Sequence, residues 1–89
     1  MKHYRIRVTG IVQGVWFRKS TKEKAEELGL KGMVRNMPDG SVLIEAEGTA
    51  GALAKFMSWC NHGPENARVD TLNMTEYPLK HYDDFSIQR

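Results

Sequence analysis

The chain holds one cysteine, Cys60, in 89 residues, so no disulfide can form within it. It has no apolar run near the roughly 20 residues a membrane helix needs. Nothing resembling a secretory leader precedes the first patterned residues, and the expected compartment is the reducing cytoplasm. An excess of charge is lacking too: 13 Lys and Arg against 11 Asp and Glu leave a net +2. That is mildly basic, without the clustered charge of a dedicated nucleic-acid binder. The three histidines, His3, His62 and His81, are scattered without the spacing of metal ligands, so no metal site is expected. Prolines number only three and no low-complexity tract occurs, which leaves no linker and one domain over 1–89.

What is present is ordinary globular composition, 40% hydrophobic and 27% charged. Residues 2–9 alternate, with Tyr4, Ile6 and Val8 on one face and His3, Arg5, Arg7 and Thr9 on the other, as in a half-buried strand. The glycine-flanked stretch from Gly10 to Val15 reads as a loop. From Phe17 the spacing becomes helical, with Phe17, Thr21, Ala25 and Leu28 on one stripe and Gly29 as a C-terminal stop. A strand over 30–36, the turn Met37-Pro38-Asp39-Gly40 and a third strand closing at Gly48 follow. Thr49 is placed to cap a second helix running to about His62, its buried stripe being Leu53, Phe56, Met57 and Cys60. A fourth strand is expected over 67–77, with its apolar phase slipping between Val69 and Leu72 as at a bulge. Phe85 to Ile87 form a short fifth.

The order β-α-β-β-α-β plus a terminal strand predicts an α+β sandwich, the ferredoxin-like split βαβ arrangement. Two helices pack on one face of a mainly antiparallel sheet, and right-handed crossovers bring the first and third strands together in the middle. The other face, with Arg5, Arg7 and Glu45, is left for solvent or a partner. Topology of this kind hosts unrelated functions and does not choose among them.

The chemistry is expected between Gly10 and Arg18. A strand-to-helix loop with two glycines lets several backbone N–H groups converge on one anion near the positive end of a helix. Arg18 in the first turn adds a planar fork of donors matched to phosphate oxygens. Arg18-Lys19 stands where acidic residues usually complement the helix dipole, a placement that an anion would offset. The bland alternative is a common glycine loop beside a surface arginine, because the spacing matches neither a P-loop nor a dinucleotide-binding fingerprint. Asn36, before a Pro-Asp-Gly turn, has a local reading of its own as a turn-starting residue. Since the first two strands are parallel, Arg18 and Asn36 should nevertheless approach one another across the third. Cys60 is expected in the core, and Asp83-Asp84 as solvated loop charge.

The stretch from Val8 to Arg18, with its Gln13-Gly14-Val15 core, resembles the first signature of the acylphosphatase family at every constrained position. Gly32-Met33-Val34-Arg35-Asn36, followed by Gly40, Val42 and Gly48, resembles the second, with Met33 where the family normally has an aromatic residue. The resemblance covers essentially the whole chain. It implies a cofactor-free hydrolase that splits small acyl phosphates into a carboxylate and inorganic phosphate. By position it implies Arg18 as the phosphate-binding arginine, Asn36 as the water-orienting asparagine, and the backbone of Ile11, Val12, Gln13, Gly14 and Val15 as the phosphate cradle. No nucleic-acid or membrane partner is expected, and the chain should act as a monomer. Two other classes remain: a catalytically idle anion-binding or regulatory module, and an RNA-binding domain of the same fold. The RNA reading requires aromatic residues on the third strand, where Glu45 and Glu47 stand instead.

Overall fold

A computed structural model describes residues 1–89. The expected elements appear in the expected order: β1 (Lys2–Ile11), α1 (Phe17–Glu27), β2 (Lys31–Asn36), β3 (Val42–Gly48), α2 (Ala50–Cys60), β4 (Arg68–Tyr77) and β5 (Phe85–Gln88). They build an open five-stranded sheet in the order β4-β1-β3-β2-β5, with β5 parallel to β2 and the remaining pairs antiparallel. This is the ferredoxin-like α+β arrangement.

The alternation in β1 and β3 sorts the two faces. Ile6 pairs with Ile44 and Ile44 with Val34, while Val8 pairs with Val42 and Val42 with Asn36. That row of side chains meets Phe17 and Ala25 from α1 and Leu53, Phe56 and Cys60 from α2, all buried in one apolar cluster. Phe56 stacks on Trp59, whose ring also lies 5.8 Å from that of Phe17. Thr49 caps α2 as expected, its Oγ1 accepting from the Ala52 N–H at 3.2 Å. Gly29 ends α1 with φ 73, a left-handed conformation that suits glycine.

β1 runs two residues further than its alternation indicates, because the ladder continues past an irregularity. Thr9 pairs with Thr71 and Gly10 with Val69, so Asp70 is the extra residue of a bulge inside the expected 69–72 interval. Gly10 has φ +128, and a Cβ there would lie 2.1 Å from the Arg68 carbonyl oxygen, so the close approach of β4 demands glycine.

The second face departs from expectation. Its lower half is covered by the chain's own segment between β4 and β5. His3, Glu45 and Glu47 are buried there, not left for solvent. Glu47 accepts from the N–H groups of Lys80, His81 and Tyr82. Both His3 ring nitrogens are engaged, Nδ1 at 2.8 Å from the Pro78 carbonyl and Nε2 at 2.8 Å from Glu45. The carboxylates at alternating positions of β3 are therefore anchors for a crossing segment.

Candidate active site

The end of β1 turns into α1 through residues 12–16. Gly14 (φ 74) and Trp16 (φ 64) both adopt the left-handed conformation, which curls the backbone just before the helix. α1 has no side-chain cap and no acidic residue in its first turn. Its first hydrogen bond runs from the Ser20 N–H to the Trp16 carbonyl at 2.9 Å. The backbone N–H groups from Gln13 to Lys19 have no acceptor within the protein. The free N–H groups of a helix start and those of the curled loop thus follow one another along the chain, the kind of backbone from which anion-binding concavities are ordinarily built. Ile11, expected in the loop, instead closes β1 opposite Arg68, and Val12 is buried in the core cluster. The freely curled part begins one to two residues later than expected.

Arg18 is in the first turn of α1 and forms no ion pair, unlike Arg5, Arg7 and Arg68. Asn36 ends β2 opposite Val42, on the helix-bearing side of the sheet. Its Oδ1 is buried and has no hydrogen-bond partner, an arrangement that costs free energy unless something is to occupy it. Arg18, Asn36 and Gly14 line one cavity of about 340 Å³, so the two side chains expected to meet across β3 do share a hollow. Lys19, Ile87 and Arg89 line it as well, and no Asp or Glu does. Anion binding suits such a lining, because no acidic side chain in it competes for the cations.

The larger hollow, about 890 Å³, is elsewhere, on the opposite face among Arg5, Arg7, Arg35 and Glu45. Two of its three guanidinium groups are already committed, Arg7 to Asp39 and Arg5 to Glu45. It also lacks the run of free backbone N–H groups found at the start of α1, so size alone does not single it out. Met33 belongs to that face, pairing with Glu45, and is remote from the cavity that holds Asn36. The departure from an aromatic residue there concerns the far side of the sheet. Trp16, 72% exposed, stands at the rim of the smaller cavity with Lys19 Nζ 5.6 Å from its ring centroid.

Cys60 is fully buried, and burial pushes its thiol up to about 12, so it is packing and not a nucleophile. No group of three or more His, Cys, Asp or Glu side chains is arranged to hold a metal ion. No helix is long and apolar enough to cross a membrane.

Sequence reasoning missed two contributors. Ile87 reaches the cavity because β5 lies parallel beside β2, pairing Val34 with Ile87; its alternation with Phe85 was the available signal. Gln13 was expected to contribute backbone alone, yet its side chain donates to two carbonyls of the β2–β3 turn. Nothing in the local sequence announces that contact.

The Acylphosphatase family model matches residues 4–87 of this chain. The chain is 51% identical over 77 residues to an acylphosphatase of Rubrobacter xylanophilus, with 86% of this chain and 70% of that protein covered. It is 44% identical over 90 residues to an acylphosphatase of Methylococcus capsulatus, with 100% of this chain and 98% of the relative covered. Among solved structures it matches the acylphosphatase from Bacillus subtilis at a TM-score of 0.97 and 39% identity, each chain covered in full.

Proposed function

This chain belongs to the acylphosphatase family and is an acylphosphatase enzyme, and from that premise we propose how its residues divide the reaction. The substrate is a small acyl phosphate. Its phosphoryl group sits in the concavity formed by the free N–H groups of the 12–16 loop and the start of α1. Arg18 offers its guanidinium to the same oxygens. Asn36 orients the attacking water through its buried Oδ1. The observation that carries this reading is that Asn36, whose Oδ1 is buried without a partner, lines the same cavity as an unpaired Arg18.

The bond being broken explains why so few groups suffice. Water oxygen forms a bond to phosphorus while the bond from phosphorus to the acyl oxygen breaks, its electron pair leaving with the carboxylate. The conjugate acid of that leaving group has a pKa of about 4, so it departs as an anion near neutral pH without a general acid. Phosphoryl transfer passes through a loose transition state in most analyses, which leaves the protein chiefly to position groups and stabilise charge. Asn36 cannot take the water's proton, because an amide oxygen is only an acceptor at neutral pH. The proton therefore passes to a phosphate oxygen, giving inorganic phosphate and a carboxylate. No step calls on a metal. A monomer in the cytoplasm is the setting that a small chain with one buried thiol suits best.

The test is hydrolysis of benzoyl phosphate in the presence of a chelator, by wild type, Arg18→Ala and Asn36→Ala. Wild type should be active, and each variant should lose on the order of a hundredfold to a thousandfold in kcat/KM. An Asn36→Ala enzyme with full activity would remove the water-orienting role from Asn36. Loss of wild-type activity on chelation would overturn the metal-free mechanism.

A further inference from the structure

We propose that the Gln13 side chain is a positioning residue, a clamp that sets the spacing between the phosphate cradle and Asn36. The inference rests on the roles proposed above for the cradle and for Asn36. Gln13 Nε2 lies 2.8 Å from the Met37 carbonyl oxygen and 2.8 Å from the Ser41 carbonyl oxygen. Those two carbonyls already close the β2–β3 turn. Ser41 O accepts from the Met37 N–H at 2.8 Å, and Met37 O accepts from the Gly40 N–H at 3.1 Å. Each carbonyl oxygen has two lone pairs, and the Gln13 amide takes the second one on both. The partners also settle the orientation of the amide, since the reverse would aim Oε1 at two carbonyl oxygens.

Before Trp16, whose carbonyl starts α1, the clamp is the only hydrogen-bonded tie of its loop. Between Gln13 and Val15 no backbone N–H donates to a protein acceptor and no carbonyl accepts. The neighbours Val12 and Val15 are held only by packing against the apolar cluster. At the far end of the clamp, Met37 follows Asn36 directly in the chain. One hydrogen bond thus connects the loop that cradles the phosphoryl group to the residue beside the one that holds water, and the second goes to Ser41, whose carbonyl holds the Met37 N–H. In-line attack depends on that separation, and a misplacement of about 1 Å can cost on the order of a hundredfold in rate.

Gln13→Met keeps the reach of the side chain and removes both donors. Gln13→Glu keeps the shape and, once ionised, sets a carboxylate against two carbonyls. Kinetics on benzoyl phosphate, inhibition by inorganic phosphate and thermal melting are measured for both, for Asn36→Ala, and for Gln13→Met combined with Asn36→Ala. The expected result for Gln13→Met is a kcat lowered on the order of tenfold to a hundredfold, with phosphate inhibition within about threefold of wild type. Gln13→Glu should regain kcat as the pH falls and the introduced acid becomes a donor, unlike wild type. In the Asn36→Ala background, Gln13→Met should add less than about threefold, because both changes disable one function.

Additive losses, an unchanged kcat, or weaker phosphate inhibition at unchanged kcat would each overturn the clamp. A lower melting temperature with wild-type kinetics would overturn it too, leaving Gln13 a purely structural residue. Full activity in Asn36→Ala alone marks failure of the underlying reading instead, and is distinguishable because it appears without any change at Gln13.

Discussion

At single residues, the cavity is marked by groups that lack what such groups normally have. Arg18 has no carboxylate, Asn36 Oδ1 has no donor, and α1 has no cap. An arginine at the positive end of a helix is unfavourable by itself, and a buried amide oxygen without a donor costs about 1–3 kcal/mol. Together these deficits fit the anion and the attacking water proposed above for this cavity. Gly10 shows the opposite case, a residue set wholly by packing. With φ +128 and the Arg68 carbonyl 2.1 Å from any added Cβ, Gly10→Ala should lower stability by about 2 kcal/mol or more, read as the urea midpoint at unchanged slope. A midpoint within error of wild type would mean that the β1–β4 bulge relaxes freely. Both Gly10 and Arg18 stood out in the sequence, but only the structure separates their reasons.

Among the elements, the two helices carry different tasks at their N-termini. α2 starts with a conventional cap, Thr49 Oγ1 to the Ala52 N–H. α1 leaves its start open for the cavity. Thr49→Ala should therefore cost about 1 kcal/mol of stability while leaving kcat on benzoyl phosphate unchanged. A fall in kcat there would show that α2 is coupled to the site. Every strand and helix was legible from periodicity, within two residues at most boundaries, because alternation and the 3.6-residue stripe are local consequences of burying one face. The last two residues of β1 were not legible in this way, since Gly10 and Ile11 are strand only by virtue of pairing with β4. The ladder that holds them comes from residues almost sixty positions away.

At the scale of the molecule, the segment between β4 and β5 ties the sheet edges together through buried charge. Burial would push the Glu45 carboxyl up, but Arg5, Lys80 and His3 outweigh it and hold it below its ordinary 4.5. For Glu47 burial likewise pushes up, and the N–H groups of Tyr82, Lys80 and His81 bring the carboxyl below the same value. A carboxylate whose pKa is depressed in the folded state contributes stability that is fully present above its unfolded value. That contribution is lost as the pH falls through the folded one. The urea midpoint should therefore hold above about pH 5 and decline steadily below about 4.5. Glu47→Gln should lower the plateau by about 1.5–3 kcal/mol and flatten the acid decline. An equally steep decline in that variant would place the acid-sensitive groups elsewhere.

The sequence by itself determined the element order, the apolar stripes, and the glycine-bearing strand-to-helix loop between Gly10 and Arg18 that is proposed above as the anion cradle. Each of these is written in neighbouring residues as spacing, glycine placement or charge against a helix dipole. Only the tertiary structure decided that Glu45 and Glu47 anchor a crossing segment and do not face water. It also decided that Ile87 reaches the cavity and that Gln13 grips the turn beyond Asn36. The physical reason is the same in all three. A polar or apolar side chain reads identically in sequence whether its partner is solvent or a carbonyl dozens of residues away. Its partner is chosen only when the sheet brings distant strands into register.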